Sequence, residues 1–193
     1  MKLEEMVAKN RSYRRFDGSH QVGEDLLRDL VALARITPSA ANRQPLKYVL
    51  CCSPEWNEEI FDTLGWAGYL PEWGGPGPME RPTAYIVVLV DKALANSPDV
   101  DVGIAAQTML LAAVERGLGG CMLANVQKQA LSETLELPEN LAIALVIALG
   151  KPVEEVVLED LPAGGSVRYY RDLTQVHHVP KRVIGELIFK VLA

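Results

Sequence analysis

Apolar residues recur at helical spacing in some stretches of the chain and run unbroken in others, and each pattern predicts its own element. Leu3, Met6 and Val7 predict a short amphipathic helix over 2–10, which needs a surface to pack on. Leu26, Leu27, Leu30, Val31, Leu33 and Ala34 draw a broad stripe over 24–36, and that helix has to stop at Thr37, because a residue before proline is pushed out of the α region. Ser53-Pro54 opens a third helix with a serine N-cap and a proline in the first turn. Over 99–116 the apolar residues go nearly all the way round the axis, so this helix must be covered on more than one side; Gly117 closes it. A helix over about 127–135 follows, and Val183, Ile184, Leu187, Ile188 and Val191 predict a last amphipathic one. The largely apolar runs at 47–53, 83–90 and 142–149 read as buried strands, and 121–125 as a short apolar passage. Between them, 65–82 holds five glycines and four prolines with Trp66, Tyr69 and Trp73, which predicts a surface flap, covering a ligand or packed onto its own body.

Composition narrows the class. A chain of 193 residues with 49% hydrophobic and 23% charged residues suits one soluble globular domain, 1–193. A net charge of -6 argues against a nucleic-acid or anionic-membrane partner, so any anion site has to be local. Cys51 and Cys52 are adjacent and Cys121 stands alone, which offers neither a disulfide framework nor a CxxC motif and favours a reducing, cytoplasmic compartment. No apolar run reaches the ~18 residues of a spanning helix.

Two stretches carry candidate chemistry. Thr37-Pro38-Ser39-Ala40-Ala41-Asn42-Arg43-Gln44-Pro45 joins a helix to a strand. Its prolines fix φ at both ends, its small residues let a ligand approach the backbone, and the amides of Asn42 and Gln44 suit a flat edge alternating donors and acceptors; an ordinary connecting turn is the alternative. Arg11, Ser12, Arg14 and Arg15 fall in a basic segment able to hold a phosphate through guanidinium forks and a hydroxyl, with a solvated basic face as the alternative. His177-His178 invites a metal reading, but neighbours in an extended segment face opposite ways and no Cys or H-E-x-x-H partner is near, so no metal is expected. Gly117-Leu118-Gly119-Gly120 follows a helix rather than a strand, and no G-x-G-x-x-G or G-x-S-x-G motif occurs. No catalytic side chain is placed by motif, so an enzyme here needs its chemistry brought in.

Asn10-Arg11-Ser12-Tyr13-Arg14, Pro38 to Pro45, and Asp101-x-Gly103-x-Ala105-x-Gln107 leading to Gly117-Leu118-Gly119, taken in that order and spacing, resemble the FMN-dependent nitroreductase family. The closing Val179-Pro180-Lys181-Arg182 resembles its basic C-terminal segment. The resemblance implies an α+β fold, a mixed β-sheet flanked by helices, working as a homodimer with FMN at the interface. It assigns Arg11, Ser12, Lys181 and Arg182 to the FMN phosphate, Arg14 to the ribityl and N1–O2 side, and Asn42 with Gln44 to pyrimidine and ribityl polar atoms. Leu123 would lie near the ring face, with Pro38 and Ser39 in the loop backbone beneath. The implied activity passes hydride from NAD(P)H through flavin N5 to a small-molecule electron acceptor, a nitroaromatic or quinone, in ping-pong order. A dehalogenase-type or flavin-fragmenting relative, or a non-enzymatic flavin-binding module, would share the FMN residues. Asn10 and Leu46 depart from the usual basic and aromatic residues at their positions.

Overall fold

The computed structural model describes residues 1–95 and 98–192, and these fall into two compact units. The first comprises 1–66, 74–95 and 98–153; the second comprises 67–73 and 154–192.

In the first unit four strands, β1 (Leu46–Cys51), β2 (Ala84–Asp91), β3 (Gly119–Leu123) and β4 (Leu141–Gly150), make an antiparallel sheet in the order β1-β2-β4-β3. β2 is central and unbrokenly apolar because both its faces are covered: Ala84, Ile86, Val88 and Val90 join a core with helices α2 (Glu24–Arg35) and α4 (Asp99–Glu115). By strand alternation Tyr85, Val87 and Leu89 point to the opposite face, where α3 (Pro54–Phe61) meets β2 and α5 (Lys128–Thr134) meets β4. The run at 47–53 predicted as fully buried is instead an edge strand, and most of β1 is only half-buried. The passage at 121–125 is the other edge strand, β3, too short to announce itself by pattern.

The capping signals act as the sequence implies. Ser53 Oγ accepts the Trp56 N–H at 3.4 Å with Pro54 in the first turn of α3. Gly117, at φ +75, lets the Gly117 and Leu118 amides reach back to the Val114 and Ala113 carbonyls at 3.0 and 2.9 Å, closing α4. The apolar girth of α4 is mostly absorbed inside the chain: Ala105, Ala106, Met109 and Ala113 are at most 1% exposed. An outward stripe remains, with Val100, Gly103 and Gln107 exposed and Ile104, Thr108 and Leu111 half-buried.

The second unit holds a mixed three-stranded sheet. β5 (Val156–Asp160) pairs in parallel with β7 (His177–Lys181), and β6 (Tyr170–Arg171) pairs with β7 antiparallel. Beneath it Glu154 and Arg171 form an ion pair at 3.0 Å, their side chains 0% and 8% exposed. The last amphipathic helix shrinks to one turn, α6 (Ile184–Leu187), and its apolar residues stay exposed. Without a packed face a four-residue helix has nothing to offset its nucleation cost. The glycine-rich stretch 65–82 is shared between the units and is pinned in both. Trp66 lies against Phe61 with ring centroids 5.5 Å apart in the first; in the second Tyr69 meets Tyr169 at 4.9 Å, and Arg171 covers the Trp73 ring at 4.1 Å. Among the described residues no helix is long and apolar enough to cross a membrane.

Candidate functional site

The loop after α2 carries the most unusual backbone in the chain. Ala41, Asn42 and Gln44 have φ of +50, +53 and +49, the left-handed region that side chains with a Cβ avoid. Each such residue costs on the order of 1–3 kcal/mol and persists only where its surroundings hold it. Gln44 is doubly disfavoured, because Pro45 follows it and a residue before proline prefers an extended conformation. What holds the loop is internal. A 3-10 turn at Ala40–Asn42 closes on Ser39 and Ala40 carbonyls, and the Gln44 side-chain amide donates to the Asn42 carbonyl at 3.1 Å. Asp101, 5% exposed in the first turn of α4, accepts the Ser39 hydroxyl at 2.6 Å and the Ala40 N–H at 3.0 Å. Asn42 and Gln44 are both exposed on this braced loop. On the loop's side toward α2 and β1 lies a cavity of about 540 Å³, lined by Pro38, Ser39, Gln44, Tyr48 and Asp101 among others.

The basic segment is built differently. It leaves α1 (Leu3–Lys9), where the Asn10 side chain donates to Gln107 of α4 at 3.2 Å, so the position that departs from the family pattern serves as a tether between helices. Ser12 then bridges to Gly120 of β3 in parallel register, and the Tyr13 N–H donates to the Gly120 carbonyl at 3.1 Å. This close approach explains Gly119, where a Cβ would run into the Tyr13 ring; at Gly120 a Cβ would instead run into the Ala148 carbonyl of β4.

Three arginines with similar sequence surroundings have three different fates. Arg15 makes a two-pronged pair with Glu80 at 2.6 and 2.8 Å. Arg14 is 9% exposed and donates to the Ser12 carbonyl at 3.1 Å. Arg11 is half-buried, gives one guanidinium N–H to the Val7 carbonyl at 2.7 Å, and has a buried Nε with no partner. Ser12 is exposed. Leu123 ends β3 at 4% exposure, with Ala124 and Asn125 exposed beside it. Lys181 ends β7 in the second unit; Arg182 follows it and pairs with Glu186 at 3.2 Å, and both are exposed.

Two features escaped the sequence. Asp101 stood in a recognised motif, but its bond to a loop 62 residues away has no local signal. The second is His178, whose Nδ1 lies 2.6 Å from Glu159 and Nε2 3.2 Å from Asp172, with the Tyr170 ring stacked on it at 4.7 Å. His177, its neighbour, is 2% exposed, so the two do turn opposite ways. The bond to Asp172, then that to Glu159, holds the His178 pKa above its ordinary value. Bonds from Thr174, His178 and Val176 lower Asp172 to about 2.

Comparison with known proteins agrees with this architecture. The model of the nitroreductase family matches residues 7–151, a span that includes the basic segment, the 38–45 loop and α4. A protein of Archaeoglobus fulgidus named "Putative NADH dehydrogenase/NAD(P)H nitroreductase" is 28% identical over 158 residues, covering 78% of this chain and 85% of its own. A nitroreductase family protein from Streptococcus pneumoniae shares the fold with TM-score 0.69 at 20% identity, covering 84% of this chain and 97% of that one. Another from Clostridium difficile gives 0.66 at 22%, covering 80% and 86%. The chain belongs to the nitroreductase family.

Proposed function

We propose that the chain binds FMN and uses it to pass hydride from NAD(P)H to an electron-poor small molecule of the nitroaromatic or quinone class. The observation that supports this most is the 38–45 loop, where three left-handed non-glycine residues are braced by a buried carboxylate. Strain of that kind is retained where a backbone has to present groups to a ligand. The donors fit FMN: the buried Arg11 Nε–H has no partner, the Ser12 side is exposed, and Asn42 and Gln44 present amides.

Arg11 and Ser12, with Lys181 and Arg182, would hold the phosphate. Arg14 would face the ribityl and N1–O2 side, where a fixed positive charge favours negative charge on the ring. Asn42 and Gln44 would take the pyrimidine and ribityl polar atoms, Pro38 and Ser39 would form the floor, and Leu123 would lie near the ring face. When bound, FMN supplies the two-electron chemistry, accepting hydride at N5 and passing it on. The protein holds and orients.

A second copy of the chain completes the picture. The outward stripe of α4 is uncharged from Val100 to Leu111 and exposes Val100 and Gly103, a face on which another α4 could pack, which supports a homodimer with FMN at the interface. Cys51, Cys52 and Cys121 are all free thiols, in keeping with a cytoplasmic setting.

Because the sequence carries no G-x-G-x-x-G motif, NAD(P)H and acceptor should use one slot in turn. Initial rates of FMN-loaded protein, measured against both substrates, should give parallel double-reciprocal lines. Intersecting lines would mean a ternary complex and a second nucleotide site, and would contradict the shared slot.

A further inference from the structure

We infer that Asp101 is the positioning residue of the 38–45 loop and that it acts on Gln44 through the hydroxyl of Ser39. A serine hydroxyl has one proton to give, and Ser39 gives it to Asp101 Oδ2 at 2.6 Å. The same oxygen accepts the Gln44 backbone N–H at 2.9 Å. Ser39 is therefore spent on the loop itself and contributes no proton to a ligand. The carboxylate draws on the hydroxyl proton, which makes its oxygen a better acceptor for Gln44, the polarisation expected of linked hydrogen bonds at a half-buried site. Oδ1 meanwhile fixes the Ala40 amide at 3.0 Å, at the other end of the turn.

The relay spans the strained residues. Ala40 is fixed before Ala41 and Asn42, and Gln44 after them, so a single buried carboxylate on α4 sets both ends of a stretch in which Ala41, Asn42 and Gln44 hold φ of +49 to +53. Gln44 in turn returns its side-chain amide to the Asn42 carbonyl. The poses of the two amide side chains assigned to the flavin thus depend on a residue that touches neither of them. Asp101 is fixed in place because it belongs to a long, buried helix rather than to the loop.

The consequence for FMN rests on the cofactor reading above; the relay itself does not. Amide exchange in the cofactor-free protein tests it directly, in the wild type and in Ser39→Ala, Ser39→Thr and Asp101→Asn. Ser39→Ala and Asp101→Asn should speed exchange at Gln44 by about tenfold or more, the scale of a lost hydrogen bond to a charged group or its dependant, with β2 amides unmoved. Ser39→Thr keeps the hydroxyl and should restore protection. FMN dissociation constants should rise by about the same factor and recover in the threonine variant. A Gln44 amide equally protected in Ser39→Ala and wild type would overturn the relay, whether or not Asp101→Asn folds. Faster exchange with unchanged FMN affinity would overturn the positioning role. Faster exchange in a protein that binds no FMN even as wild type would support the relay and sink the cofactor reading instead.

Discussion

Arg11, Arg14 and Arg15 lie within five positions of one another, and nothing in that stretch tells them apart. Their surroundings diverge through the fold: Glu80, 65 residues on, claims Arg15, while Arg14 is buried and donates to the carbonyl of Ser12, the residue that bridges to Gly120. Arg11 is left with a buried Nε that has no partner. Arg11→Ala should therefore weaken FMN binding by ~1.5–3 kcal/mol, the scale of a hydrogen bond to a charged group, while the thermal midpoint stays close to wild type. Arg15→Ala should do the reverse, leaving FMN affinity alone and costing about 0–1 kcal/mol of stability for a partly exposed pair. Flavin titration and melting of both variants check the division; an Arg15→Ala protein that loses FMN would show that the wrong cation was chosen. Asn42 and Gln44 could be named as candidates from the sequence because amides between two prolines are chemically distinctive. Asp101 as their brace was not, since a carboxylate in a helix's first turn usually only answers the helix dipole.

At the scale of elements, long patterned runs were readable and short or partner-dependent ones were not. β2 and β4 announced themselves by unbroken apolar runs, and α2 by its stripe. β3, β5 and β6 have five, five and two residues, and pairing rather than local pattern makes them strands. The second unit's sheet is clamped by a histidine: His178 on β7 lies between Glu159 on β5 and Asp172 just past β6, with Tyr170 of β6 on its face and donating to Glu159 at 3.3 Å. Because the folded His178 pKa is raised, its contribution is fully present below the unfolded value near 6.5 and is lost as pH rises through the folded one. Protection of β7 amides should therefore fall on moving from mildly acidic to alkaline solution, and His178→Gln should flatten that dependence. Asp172 acts at the other end of the scale. Its lowered pKa makes its contribution fade only as pH drops toward about 2. Exchange rates at Val179 that follow only the intrinsic pH dependence of amide exchange would remove the clamp from the account.

For the whole molecule, the order of motifs along the chain was enough to indicate the family, while the division into two compact units was not visible, because no linker-like composition separates them. One unit contributes the strained loop and the basic segment; Lys181 and Arg182 belong to the other. The motifs supply no nucleophile or acid–base pair, in keeping with the proposed reliance on a bound cofactor. The most direct test is anaerobic mixing of the purified, FMN-loaded protein with NADH or NADPH, followed in the visible absorbance of the flavin. The oxidised flavin bands should bleach with one of the two nucleotides and return when a quinone or nitroaromatic is added without further nucleotide. A protein that takes up no FMN, or whose bound flavin stays oxidised with both nucleotides, would contradict the proposed function.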